Sequence, residues 1–185
     1  MSDWREQSKT LGDTYQYHYA TLFDLVQLTR GKSNALIVAL DHITDVGNFG
    51  AIVRSAEVVG ASGVLIPNKR AAQVNEAVFR TSAGAIEYLL VAREANLHHA
   101  IQRLKDEGFW IAGASEHAVQ DVWSAPLEGR IVLVMGAEDK GISRLVREHL
   151  DFEFRLPQYG FTQSLNVAQA ATAIMYEWRR RVVQG

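Results

Sequence analysis

Cysteine is absent from the 185 residues, which excludes disulfides, thiolate chemistry and any zinc site built on sulfur. The six histidines do not make up for it. His98 and His99 are adjacent and the others are scattered, so no metal-like spacing occurs and no metal is expected. No apolar run approaches the roughly 20 residues that a helix needs to cross a bilayer. Trp4, Arg5 and Glu6 stand where a secretory leader carries a basic segment before an apolar core. No signal peptide is therefore expected, and a cytoplasmic location is the default. A strong charge of either sign is lacking too: 19 basic against 21 acidic side chains give a net charge of −2. That balance argues against a protein that coats nucleic acid by bulk electrostatics. It leaves room for a local basic face among Arg54, Lys69, Arg70, Arg80, Arg93, Lys140, Arg144 and Arg147.

What the chain does have is ordinary globular composition, 48% hydrophobic with 22% charged, in a length suited to one domain with a substantial core. Residues 1–33 stand apart as a short extension. Tyr15, Tyr17, Tyr19, Phe23, Leu25, Val26 and Leu28 lie in a stretch free of Gly and Pro, expected to be helical and to end at Arg30-Gly31. A regular alternation fills residues 34–185. ALIVAL (35–40), GVLIP (63–67), EYLLVA (87–92), FWIAGA (109–114), RIVLVMG (130–136) and FEFRLP (152–157) read as strands. Helices are expected at 49–59, 74–82, 96–107 and 143–149, and again from the apolar repeat Val167, Ala170, Ala171, Ile174, Met175 and Trp178. Strands alternating with helices imply an α/β fold, a mostly parallel sheet with helices on both faces.

The common ligand signatures of such sheets are missing. No GxGxxG, no GxxxxGK[ST] and no GxSxG is present, so dinucleotide, phosphate-loop and nucleophile-elbow sites have no support. Polar residues gather instead in three strand-to-helix loops, where open α/β sheets keep their ligands. In the first, Asn48 reads either as a helix N-cap or as a functional amide, and Gly50 permits close backbone approach. Arg54 follows in an otherwise apolar helix. A charge there must be paired, reach the surface or serve a ligand, and the planar guanidinium suits a phosphate. In the second loop, Glu138 lies between Gly136 and Gly141. In the third, Ser164 is a candidate N-cap and Asn166 a first-turn polar residue. Taken singly, each is better explained as structure; three such loops on one sheet make that explanation less comfortable.

NFGAIVRSAEVVGASGVLIP (48–67), LVMGAEDKGIS (133–143) and LPQYGFTQSLNVAQAATAIMYEW (156–178) resemble, in order, motifs 1, 2 and 3 of the SpoU (TrmH-like) RNA 2′-O-ribose methyltransferases of the SPOUT superfamily. The resemblance runs from about Ala35 to the C-terminus. It implies a C-terminal trefoil knot, which periodicity does not predict and general topology disfavours. It implies S-adenosylmethionine as cofactor, held near Ala114, at Gly136, Glu138 and Gly141, and from Leu156 to Leu165 with Ser164 and Asn166. Leu156 and Leu165 would sandwich the adenine. It implies catalysis by Arg54 with Asn48, Glu138, Ser164 and Asn166: Arg54 acts on the ribose, Ser164 and Asn166 hold Arg54 and the loops, and Glu138 orients the cofactor pocket. RNA as substrate and a homodimer follow from the same likeness. The segment RAAQVNEAVFRTSAGA (70–85) leans toward ribosomal rather than transfer RNA. A non-catalytic RNA-binding or ribosome-assembly protein keeping the fold is the alternative, and binding of S-adenosylmethionine separates the two.

Overall fold

A computed structural model describes residues 17–162 and 164–184. Six parallel strands form one sheet in the order β3-β2-β1-β5-β4-β6. They are β1 (Ala35–Asp41), β2 (Gly63–Pro67), β3 (Leu90–Glu94), β4 (Trp110–Ala114), β5 (Arg130–Gly136) and β6 (Phe152–Phe154). The helices are α1 (Leu22–Thr29), α2 (Val46–Val58), α3 (Glu76–Thr81), α4 (Leu97–Asp106), α5 (Arg144–Arg147) and α6 (Val167–Gln184), with a 3-10 turn at Ala85–Glu87. Central β1 is buried along its whole length and pairs with β5 from Ala35↔Arg130 to Asp41↔Gly136. Its alternating side chains build two cores. Leu36, Val38 and Leu40 pack with Phe49, Ile52 and Val53 of α2 and with Ala171, Ile174, Met175 and Trp178 of α6. Ala35, Ile37 and Ala39 face Leu25 of α1, Ile101 and Leu104 of α4 and Val146 of α5. The α/β sheet with helices on both faces is as expected.

The N-terminal extension differs from the expected helix. Among the described residues the helix starts only at Leu22, because Thr21 and Asp24 form a capping box that satisfies each other's backbone N–H. Tyr17 and Tyr19 precede it, and the chain at Ala20 is extended: the Ala20 N–H donates to Val91 O at 2.9 Å and its carbonyl accepts from Arg93 N at 3.3 Å. This segment covers the open edge of β3, which would otherwise present unpaired backbone groups. Tyr15 lies outside the described residues. Leu22 and Leu25 are fully buried in the second core, so this part of the extension packs as part of the body.

The basic triplet Arg179, Arg180 and Arg181 binds the fold together. Arg179 donates to Val59 O at 2.6 Å and Gly60 O at 3.1 Å, closing the end of α2. Arg181 donates to Ala125 O at 2.6 Å, Trp123 O at 2.7 Å and Val122 O at 3.1 Å, holding the irregular chain before β5. Arg180 and Arg181 frame Glu177, which is buried at 5% exposure and accepts from Arg180 at 2.8 Å and Arg181 at 2.7 Å. The Arg180 hydrogen bonds, foremost, hold its carboxyl down from 4.5 to about 2 against the opposing cost of burial. A depressed carboxylate stabilises the fold above its unfolded pKa and loses that contribution as pH falls through the folded one. The window is therefore pH 4.5 down to about 2. With the exposed Arg180 partly screened, the effect is on the order of 1–3 kcal/mol. Glu177→Gln should lower urea stability by that amount at pH 7 and flatten the acid limb of the stability–pH curve. An unchanged acid limb would refute the assignment.

Candidate functional site

The loops after β1 and β5 and the segment leading into α6 meet at the carboxyl edge of the sheet. Two N-caps set their geometry, and both differ from the sequence reading. Asp45, not Asn48, caps α2: its Oδ1 accepts from Asn48 N at 2.7 Å. This starts the helix one turn earlier than expected and frees the Asn48 side chain. At α6 it is Asn166, not Ser164, whose Oδ1 accepts from Ala168 N at 2.9 Å and Gln169 N at 3.4 Å. With its oxygen on the helix N–H groups, the Asn166 amide nitrogen must point away from them, toward acceptors. It donates to Asn48 Oδ1 at 2.8 Å and Glu138 Oε1 at 3.0 Å. Glu138 Oε1 also accepts from Val167 N at 3.2 Å and Asn48 Nδ2 at 3.4 Å. One carboxylate oxygen thus ties all three loops together.

The turn that carries Glu138 is built by its glycines. Gly141 adopts φ +62° and donates its N–H to Ala137 O at 2.7 Å. It folds the chain back so tightly that a Cβ on Gly136 would overlap the backbone of Gly141 and Ile142. Gly50, by contrast, serves packing: a Cβ there would strike Thr81 of α3. Asp41, which the sequence reading passed over, pins the far end of the turn. Buried at 1% exposure, it accepts from Ser143 N at 2.6 Å and lies 2.6 Å from His42 Nδ1. Its signal was a carboxylate closing an all-apolar strand, where burial demands a partner.

Beside the turn opens a cleft of about 530 Å³, within the ordinary range for a small-molecule site. Ala114, Gly136, Glu138, Gly141, Leu156, Ser164, Leu165 and Asn166, the residues expected from sequence to hold the cofactor, all line it. Met135, Phe154 and Ile174 supply an apolar floor, and Ser115, Glu116 and His117, which no sequence motif marked, complete the wall with Gln158 of the third motif. A smaller hollow of about 220 Å³ lies across Glu138, lined by His42, Asp45, Asn48 and Asp139 among others.

Arg54 stands outside this network. It is exposed on α2, does not line the cleft, and makes no hydrogen bond or ion pair with the described residues. The expectation that Ser164 and Asn166 hold it is not met: Asn166 is occupied by Asn48 and Glu138, and Ser164 makes no side-chain hydrogen bond among the described residues. Arg54 follows Gly50 by four residues, so it leaves α2 on the face that runs along α3. Among the described residues no group of three or more His, Asp or Glu side chains is arranged to hold a metal. No helix among them is long and apolar enough to cross a membrane.

The sequence profile of the SpoU rRNA Methylase family matches residues 35–176. The chain belongs to the SpoU rRNA methylase family. Among SpoU-related proteins, YacO of Bacillus subtilis (strain 168), named for the TrmH family of tRNA/rRNA methyltransferases, is 39% identical over 166 residues, covering 89% of this chain and 67% of its own. The Synechocystis protein slr0955, named an uncharacterised tRNA/rRNA methyltransferase, is 40% identical over 162 residues, 87% of this chain. This chain spans only 42% of slr0955. The crystal structure of the SpoU methyltransferase AviRb from Streptomyces viridochromogenes in complex with S-adenosylmethionine superposes with a TM-score of 0.77 at 29% identity, covering 88% of this chain and 66% of that one. A structure described as an RNA 2′-O ribose methyltransferase gives a TM-score of 0.72 at 26% identity, covering 94% and 60%. S-adenosylmethionine is the cofactor of this SpoU family, as in the AviRb complex.

Proposed function

We propose that the chain transfers a methyl group from S-adenosylmethionine to a ribose 2′-hydroxyl of RNA. The observation that carries this reading is the Asn48–Glu138–Asn166 network, which joins three loops at the mouth of the cofactor-sized cleft. The cleft suits the cofactor in kind as well as size. Apolar Met135, Leu156, Leu165 and Ile174 can take an adenine and a thioether chain, and polar Ser115, Glu116 and Gln158 can meet hydroxyl, amine and carboxylate groups. When bound, the cofactor supplies an electrophilic methyl on a sulfonium.

The residues of the chain have the remaining tasks. Gly136 and Gly141 shape the turn that presents backbone groups to the cleft, and Leu156 and Leu165 pack on the adenine. Glu138 and Asn166 keep the loops closed around the site, with Asn48 on the substrate side. A neutral hydroxyl is a poor nucleophile, so its proton must leave as the new bond forms. That proton passes to a phosphate oxygen of the RNA or to solvent, because Arg54 is always charged and cannot act as a base. Its role is to grip the ribose–phosphate and stabilise negative charge growing on the 2′-oxygen. Exposed, and without a partner among the described residues, it has the freedom to do so. Ser164, which lines the cleft and whose hydroxyl has no partner among the described residues, contacts the cofactor. The family likeness extends the proposal to a homodimer, to a trefoil knot formed by the segment entering α6, and to ribosomal RNA ahead of transfer RNA.

Calorimetry with S-adenosylmethionine should show one saturable site per chain. Incubation with the cofactor and unmodified ribosomal or transfer RNA, followed by nucleoside mass spectrometry, should yield a 2′-O-methylnucleoside. Cofactor binding with base methylation alone would overturn the ribose assignment, and absence of cofactor binding would overturn the enzymatic one.

A further inference from the structure

The carboxylates of Asp45, Glu138 and Asp139 surround the hollow beside Asn48, and the chain as a whole carries a net charge of −2. Nothing there welcomes the phosphates on either side of a target ribose, so a polyanion needs cations nearby. Lys140 is one, on the Glu138 turn itself; a denser group stands one strand over. The stretch 68–80, NKRAAQVNEAVFR, holds Lys69, Arg70 and Arg80 against Glu76 alone. Lys69 and Arg70 follow directly from β2, the parallel neighbour of β1, so their loop shares the carboxyl edge with the loops at Asn48 and Glu138. Both side chains are exposed, and neither makes a hydrogen bond or ion pair with the described residues.

The loop is held in place rather than left slack. Ala72 N donates to Ile43 O of the β1 loop at 2.9 Å, and Asn68 N donates to Glu94 O at 2.8 Å. Arg93 on β3 reaches across it, donating to Asn68 Oδ1 at 3.0 Å and Gln73 Oε1 at 2.9 Å while stacking over Tyr19 at 4.8 Å. Arg70 itself adopts φ +57°, a left-handed conformation that a long side chain seldom takes and that these bonds maintain. The loop continues into α3, whose far end packs on α2 where Thr81 meets Gly50. Arg54 lies four residues beyond Gly50 on α2, and the Lys69–Arg70 pair lies in the loop that leads into α3, so α3 links the two.

We propose that Lys69 and Arg70 form a phosphate clamp for the RNA strand that flanks the target ribose, with Arg54 at the reacting nucleotide. The clamp rests on the reading of the chain as an RNA methyltransferase. It acts on the backbone of the strand and carries no base preference, so it contributes affinity and register rather than chemistry.

The test uses the full chain and a fluorescein-labelled RNA hairpin, with anisotropy titrations across a range of KCl concentrations. Lys69→Ala/Arg70→Ala should weaken binding about tenfold at low salt and reduce the slope of log affinity against log salt by about 2, one for each phosphate that the variant leaves unneutralised. KM for methylatable RNA should rise with kcat unchanged, and calorimetry with S-adenosylmethionine should be unaltered. Lys69→Arg should behave as the parent protein. So should Arg103→Ala, which removes an exposed cation from α4 on the opposite face of the sheet. If the parent chain binds and methylates RNA while the double variant matches it in affinity and salt slope, the clamp is wrong and the methyltransferase reading survives. If the parent chain neither binds nor methylates RNA, both fall.

Discussion

Arg54→Ala is expected to slow methyl transfer to RNA by about 10²–10³-fold, roughly 2.7–4 kcal/mol of transition-state stabilisation, with the affinity for S-adenosylmethionine unchanged. The separation of the two readouts follows from position. Arg54 lies outside the cofactor cleft and is bonded to none of its walls, so removing it leaves the cofactor's surroundings intact. What disappears, on the proposed reading, is the cation that meets charge developing on the 2′-oxygen. Arg54→Lys keeps the charge and loses the planar fork. If bidentate geometry on the ribose–phosphate matters, it should recover little of the activity. Near-normal kcat in Arg54→Ala with RNA still bound would remove Arg54 from the chemistry and turn attention to the groups around Glu138.

Gly136→Ala should nearly abolish cofactor binding, raising the dissociation constant about 100-fold, equivalent to roughly 3 kcal/mol. The added methyl has no room, because the backbone of Gly141 and Ile142 already occupies its place. Backbone cannot rotate aside as a long side chain would, so the 137–142 turn must move outward. That movement carries Glu138 away from Asn166 and Val167 and forfeits hydrogen bonds worth about 1 kcal/mol each. It also distorts the cleft wall. A drop in folding stability of about 1–3 kcal/mol should accompany it. A Gly136→Ala protein that binds S-adenosylmethionine within about threefold of the parent, a difference of under 1 kcal/mol, would show that the turn does not shape the site.

Much of this molecule is legible in local pattern. The run RIVLVMG becomes β5 with the bounds its apolar residues predict, because a strand buried on both faces must be apolar throughout. The three loops with Asn48, Glu138 and Asn166 stand out because polar residues at the carboxyl ends of such strands have no structural need to be so concentrated. The N-terminal segment misled: Tyr17 and Tyr19 contain nothing that forbids a helix, and only the open edge of β3 decides that the chain there is extended.

The caps show the same division at finer scale. Asp45, Asn48, Ser164 and Asn166 are all capable N-caps, and composition cannot choose between Asp45 and Asn48 or between Ser164 and Asn166. The choice belongs to Glu138, which is distant in sequence. By accepting from both amide side chains it places Asn48 within α2 and Asn166 at the start of α6. Likewise, Arg179 and Arg181 invite reading as a basic RNA-binding tail, yet they satisfy carbonyls of α2 and of the chain near Ala125. Short-range periodicity was enough to read the alternation of strands and helices, and three motifs in order were enough to read the family. Which residues cap, which bind one another, and that Arg54 has no partner among the described residues were settled by packing in space. Hydrogen-bond partners are assigned by proximity in space, and the sheet order that creates that proximity brings together loops about 90 residues apart.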